Sequence, residues 1–252
     1  MEKMQKVING STQASLPPSL TILITGVSKG IGRALALEFA KRGHTIIGCS
    51  RDQNKLDSFR TQLSIFSNSS PDKHLLYNVD VTSDSNVQEL SQAVLERKLV
   101  PDIIVNNAGV INKKSKFWGI PLHEFDNVID TNVKGIANVL RHFIPLMIAR
   151  NNGVIVNISS AWRNSGGAMI SAYCASKWAV EGLTKSIAKE LPGGMAIITL
   201  HPGAVKTDMF FTYYGDELPS KYQNLEPWAI KASTIILNFT ATDNGASLSM
   251  EE

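Results

Sequence analysis

Tyr173 and Lys177 stand four residues apart at the start of a stretch with helical apolar spacing, Tyr173 to Leu191, so both side chains project from one face. A free phenol titrates at about 10, too high for ready proton exchange at neutral pH, and an ammonium a few ångströms away favours the phenolate and lowers that value. The pair is therefore a candidate general acid and base. Ser160 precedes the tyrosine by thirteen residues and follows the apolar run Val154 to Ile158. In parallel α/β sheets sites are built at the carboxyl edge, where its hydroxyl could bond a substrate carbonyl. Tyr-x-x-x-Lys alone is more often a helix surface contact. It gains force here only from Ser160 and from a second motif near the amino end.

That motif is Thr25-Gly26-Val27-Ser28-Lys29-Gly30-Ile31-Gly32, between an apolar run and a helical pattern. Gly26 permits a tight turn, Gly30 lets backbone approach a pyrophosphate, and Gly32 lets the helix pack near the strand with its N-terminus toward the anion. The glycine spacing is wider than Gly-x-Gly-x-x-Gly, and a Gly-rich turn in an α/β protein can be only a turn. About 20 residues on, where an NAD site places a carboxylate for the ribose 2′-hydroxyl, stand Cys49-Ser50-Arg51. The forked guanidinium of Arg51 suits a 2′-phosphate, and Lys29 supplies a second cation, so the pattern favours NADP(H) over NAD. Asp52 next door keeps NAD open.

These residues need a frame. The chain has 252 residues, 43% hydrophobic and 19% charged, with 25 basic against 22 acidic side chains and a net charge of +3. That is apolar enough for a large core and too weakly charged for disorder. The charges are scattered, which argues against nucleic acid. No run approaches the ~20 apolar residues of a membrane span. Cys49 and Cys174, the only cysteines, read as small core residues in a reducing compartment. Residues 1–19 lack a signal-peptide core and read as a flexible arm, and a cytoplasmic location follows. Ser64 to Lys73 is a polar loop, and no domain boundary interrupts residues 20–252.

Leu20–Thr25, Thr45–Cys49, Leu75–Val79, Ile103–Asn106, Val154–Ile158 and Met195–Leu200 read as strands without a polar face, which belong in a sheet covered on both sides. Helical patterns lie between them at Ile31–Arg42, Lys55–Leu63, Asn86–Lys98, Leu122–Asn151 and Tyr173–Leu191, with a further helix at Pro227–Phe239 and a short seventh strand at Ala246–Met250. The alternation predicts one α/β domain: a Rossmann-type, doubly wound sheet of about seven parallel strands with helices on both faces.

With those motifs in order, the chain resembles the short-chain dehydrogenase/reductase family from about Leu20 to Met250. The family's Thr-Gly-x-x-x-Gly-x-Gly turn matches Thr25 to Gly32, its Asn-Asn-Ala-Gly element Asn106 to Gly109, and its helix asparagine Asn132. Its serine, tyrosine and lysine match Ser160, Tyr173 and Lys177, and its Pro-Gly element matches Pro202-Gly203, followed by Val205 and Thr207. The resemblance implies hydride transfer between a nicotinamide and a carbonyl carbon. Tyr173 would be the acid, Ser160 would bond the oxygen, Lys177 would lower the phenol pKa and hold the ribose, and Asn132 would hold a water linking Lys177 to solvent. It implies a cofactor site of Gly26, Ser28, Lys29, Gly30, Ile31, Gly32, Ser50, Arg51, Asp80, Val81, Asn107, Ala108, Gly109, Tyr173, Lys177, Pro202, Gly203, Val205 and Thr207. Asp80 would meet the adenine amino group, whereas Asn107 could equally be a tie between loops. His201 replaces a commoner asparagine, and the usual Asp-Gly-Gly ending is missing.

Segment 208–227 corresponds to the family's lid. Its Met209, Phe210, Phe211 and Tyr213, with Trp162 after Ser160, favour a flat or aromatic small-molecule carbonyl, such as a pterin aldehyde; Asn132–Arg141 and Tyr173–Leu191 resemble plant reductases of pterin aldehydes. Packing of the lid on the body would explain the same residues. The alternatives are a non-catalytic NADP(H)-binding sensor or scaffold, and an oxidative alcohol or steroid-type dehydrogenase. No metal is expected. In the family the two long helices, here Leu122–Asn151 and Tyr173–Leu191, often pack against their counterparts around a twofold axis; surplus apolar positions along the first, at Val133, Ile136, Val139, Leu140, Phe143, Ile144 and Met147, then imply a homodimer or homotetramer, unless a loop or the arm of a monomer covers that face.

Overall fold

A computed structural model describes residues 19–66, 73–215 and 222–250. The strands are β1 (Thr21–Thr25), β2 (Thr45–Ser50), β3 (Leu75–Asn78), β4 (Ile103–Asn106), β5 (Gly153–Ile158), β6 (Met195–His201) and β7 (Ser247–Ser249); β1, β2, β4, β5 and β6 are buried on both sides, while the edge strands β3 and β7 are partly exposed. They make one sheet of seven parallel strands in the order β3-β2-β1-β4-β5-β6-β7. The order reverses between β1 and β4, and a crevice opens there beyond the carboxyl ends of the strands. All the motifs above sit on that edge.

The helices are α1 (Gly30–Lys41), α2 (Gln53–Phe66), α3 (Asp84–Glu96), α4 (Leu122–Ile129), α5 (Gly135–Ile148), α6 (Ser171–Ile187), α7 (Asp208–Tyr214) and α8 (Leu225–Leu237). On one face of the sheet α1, α2 and α8 pack around Phe39, Phe59 and Trp228. On the other, α3, α5 and α6 pack around Val87, Leu90, Phe143 and Val180. Burying a side chain of this size contributes about 1.5–3 kcal/mol, so two such layers hold the strands and, through them, the edge loops. Both cysteines are buried and unpaired in disulfides.

The expected helix from Leu122 runs to Ile148 without interruption, but α4 and α5 meet through a π-turn, Asp130–Lys134. A wide turn of this kind is a recurrent feature of functional sites, because it re-aims one side chain without ending the helix. Here the side chain is Asn132. Gly135 then begins α5 where a Cβ would meet Val81 Cγ2 at 2.8 Å, so the helix rejoins the sheet closely.

Smaller differences lie at element ends. Ser19, placed in the arm, donates to Gly43 O at 2.9 Å and already belongs to the body; the rest of the arm, 1–18, lies outside the described residues. The polar loop begins only after Phe66, and 67–72 likewise lie outside them. In the lid segment α7 is a short helix, residues 216–221 lie outside the described part, and α8 starts at Leu225, with Pro227 in its first turn where no N–H is missed. Among the described residues no helix is long and apolar enough to cross a membrane, and no cluster of three or more His, Cys, Asp or Glu could hold a metal.

Candidate active site

The glycine turn is built by close approach. Gly26 has φ +75° and Gly30 φ +59°, the left-handed region that favours glycine. A Cβ on Gly26 would lie 3.0 Å from Ala108 Cα, and one on Gly32 would run into Asn107 Nδ2 and Gly26 O. Asn107 fills this place because its amide laces β1 to β4: Nδ2 donates to Thr25 O (2.9 Å) and Gly26 O (3.2 Å). The Thr25 hydroxyl in turn accepts from the Asn107 and Ala108 N–H groups, both at 3.0 Å. Asn107 is thus a tie between loops that also lines the crevice.

The crevice is a cavity of about 520 Å³. Arg51 and Ser50 stand at one end, with Val81 beside them; the middle is floored by Ser28, Lys29, Gly30 and Ile31 facing Ala108 and Gly109. Pro202, Gly203, Val205 and Thr207 form the opposite wall, and Ser160, Tyr173 and Lys177 close the far end. Gly32 lies behind the loop rather than on the wall, and so does Asp80, whose Oδ1 accepts from Thr82 N and Oγ1, both at 2.9 Å. Arg51 stands 3.7 Å from the Asp80 carboxylate and is half exposed. Lys29 is committed elsewhere: its ammonium pairs with Asp208 at 2.7 Å, across the cavity mouth, and holds that carboxyl below its usual range. An elongated trough with a backbone cradle in the middle, a guanidinium at one end and a phenol at the other fits a dinucleotide carrying a 2′-phosphate.

At the phenol end Tyr173 is buried beside Ser160. Burial pushes the phenol up to about 12, with the nearby Ser160 hydroxyl pulling the other way. The expected depression by the lysine is not found. Lys177 Nζ lies 5.5 Å from the Tyr173 ring centroid and donates to Ile158 O at 2.8 Å, so its charge is aimed at a carbonyl and not at the phenol oxygen. Burial wins for the amine too, which falls to about 8 although Glu181 opposes the fall. Tyr173 therefore keeps its proton at neutral pH and is available as a donor.

Ser160, two residues past the end of β5, has extended backbone and caps the turn Ala161–Arg163, its Oγ accepting from Trp162 N at 3.3 Å. Asn132 does not line the cavity. Its amide clamps the loop after β4, with Oδ1 accepting from Val110 N (2.8 Å) and Nδ2 donating to Val110 O (2.9 Å) and Ser176 Oγ (3.0 Å), so each end is satisfied by protein. His201 caps the Pro-Gly turn, its Nδ1 accepting from Gly203 N at 3.3 Å.

Beside Tyr173 the mouth is aromatic. Trp162 meets Tyr173 edge-on at 6.2 Å and Tyr213 at 4.9 Å, and stacks on Tyr214 at 6.4 Å; Met209 and Phe210 complete this wall. Phe211 does not line the cavity; it is 38% exposed and meets Phe210 edge-on at 6.3 Å. Tyr214, expected in the same aromatic cluster, does line it. Asn112 was missed: its Oδ1 accepts from Tyr173 N at 3.4 Å, and no motif marks it.

Comparison with known proteins agrees with this geometry. Residues 20–217 match the family model for short chain dehydrogenases. An NADPH-dependent pterin aldehyde reductase of Arabidopsis thaliana is 56% identical over 236 residues, covering 94% of this chain and 95% of that protein. A 3-oxoacyl-[acyl-carrier-protein] reductase of Thermotoga maritima is 35% identical over 200 residues, 79% of this chain and 77% of that one. Among solved structures, ElxO with NADP bound superimposes with a TM-score of 0.82 at 27% identity, covering 92% of this chain and 97% of that chain.

Proposed function

Because the chain belongs to the short chain dehydrogenase family, we propose that it is an NADPH-dependent carbonyl reductase whose substrates are flat aromatic aldehydes, pterin aldehydes foremost. The observation that carries this is the pair of neighbouring hydroxyls, Ser160 and Tyr173, at the aromatic end of a trough whose other end is Arg51. When bound, the nicotinamide supplies the hydride for the carbonyl carbon. The chain's own residues handle the oxygen. Tyr173 gives it a proton and Ser160 donates a hydrogen bond as negative charge gathers there, so aldehyde becomes alcohol with hydride and proton both accounted for. A phenol held protonated by burial suits this direction better than the oxidative one.

The glycine turn would hold the pyrophosphate through backbone N–H groups, Arg51 would pair with the 2′-phosphate, and Lys177 would hold the nicotinamide ribose. Asn132 acts at one remove, by fixing Val110 and Ser176 around the site. Trp162, Tyr213 and Tyr214 offer a flat ring an apolar slot. The protein works as a single catalytic domain in the cytoplasm and as a homo-oligomer. The test is NADPH oxidation by the purified chain with a panel of aromatic and aliphatic aldehydes, beside cofactor titrations of wild type and Arg51→Ala. The substitution should weaken NADPH several-fold and leave NADH unchanged. No turnover with any aromatic aldehyde would remove the proposal, and equal losses for both cofactors would remove Arg51 from the phosphate site.

A further inference from the structure

Glu181 is a carboxylate buried at the sheet edge, only 8% exposed, one turn beyond Lys177 on α6. Its oxygens are divided between two elements. Oε1 accepts from Ser159 Oγ at 2.6 Å and lies 3.9 Å from Arg163 Nε; Oε2 accepts from Thr199 Oγ1 at 2.8 Å on β6. Ser159 is the residue before Ser160, and Arg163, three residues after it, also donates to Ser160 O at 3.4 Å. The segment that carries Ser160 and Trp162 is therefore tied on both sides to one carboxylate of the helix that carries Tyr173. The two cations facing that carboxylate are Arg163 from the turn and Lys177 from its own helix.

We infer that Glu181 is a positioning residue: by holding Ser159 and Arg163 it sets the Ser160 hydroxyl against the Tyr173 phenol. The inference rests on the reductase reading of those two hydroxyls. A bond of 2.6 Å to an ionised acceptor is of the short, strong kind, and an error of about 1 Å in a catalytic group can cost on the order of 100-fold in rate. The same helix supplies an internal comparison. One turn on, Thr184 accepts from Asn157 Nδ2 at 2.9 Å, tying α6 to the body of β5 without touching the Ser160 segment.

The experiment compares Ser159→Ala, Glu181→Gln and Thr184→Val by steady-state kinetics with an aromatic aldehyde, by NADPH titration and by melting. Ser159→Ala and Glu181→Gln should lower kcat by about tenfold with KM and NADPH affinity within about twofold, while Thr184→Val should lower Tm and leave kcat as in wild type. Crystal structures of wild type and Ser159→Ala should show the Ser160 hydroxyl moved away from the Tyr173 phenol in the variant. Should Glu181→Gln fail to fold, Ser159→Ala decides alone. Wild-type kcat in Ser159→Ala, or a Ser160 hydroxyl that stays where the wild type has it, overturns the inference. An inactive wild type with that displacement in Ser159→Ala would instead sink the reductase reading and leave the positioning intact.

Discussion

Tyr173 and Lys177 are both buried, and burial moves their proton affinities in opposite directions because each charged form loses its water. The phenol is pushed up to about 12 and the amine down to about 8. Replacing Tyr173 by Phe keeps the ring against Trp162 and removes the proton. Turnover should fall by roughly 100- to 10,000-fold, as for the loss of a general acid, while NADPH binding measured by fluorescence stays within about twofold; most of the activity surviving would end the assignment. Lys177 sets the pH limit. It is charged below about pH 8 and neutral above it, so kcat/KM for reduction should be flat through neutrality and fall with an apparent pKa of about 8. The effect on stability has the opposite sign. The unfolded chain keeps that proton up to its ordinary 10.5, so between about 8 and 10.5 it binds more protons than the folded one. The burial cost of the charged amine is then relieved as pH rises. A pH–rate profile with no limb between pH 7 and 9 would show that Lys177 does not report on the reaction.

At the scale of elements, what periodicity encodes was legible and what side-chain satisfaction decides was not. Six strands and their helices lie within a few residues of where apolar spacing puts them, because runs such as Ile22–Ile24 and Ile103–Val105 have no polar face to expose. The π-turn at Asp130–Lys134 was invisible. Nothing in Asp-Thr-Asn-Val-Lys breaks a helix; the reason for the wide turn lies in the hydrogen bonds of Asn132 to Val110 and Ser176, across elements far away in sequence. The strand order could not be read either, since crossovers are long-range. In α7 the aromatic residues were visible, but which of them line the cavity was not: Phe211 and Tyr214 lie three apart, and only Tyr214 is on the wall. The turn Ala161–Arg163 places Trp162 against Tyr213 and Tyr214, so Trp162→Ala should raise KM for an aromatic aldehyde by up to about tenfold, the scale of one aromatic contact. A small aliphatic aldehyde should be affected less and NADPH binding not at all. Equal effects on both aldehydes would mean that Trp162 only packs the turn.

The apolar surplus along α5, read from the sequence as a partner-facing stripe, is answered inside the chain. Ile136, Val139, Leu140, Phe143 and Met147 are all buried in the core under the sheet. Among the exposed apolar residues, Trp118 before α4 is 82% exposed, Leu122 on α4 75% and Trp178 on α6 53%. α4 and α6 are neighbouring helices. Large exposed apolar side chains on neighbouring elements offer surface for a protein contact. A twofold contact between copies is the simplest way to cover them, because an isologous interface uses the same patch on both subunits. Sedimentation of the wild type at micromolar concentration should therefore give a dimer or tetramer, and Trp178→Glu, which puts a charge into the contact, should shift it to monomer. A wild type that sediments as a monomer would reject the oligomer, and an oligomer indifferent to Trp178→Glu would move the interface to another face.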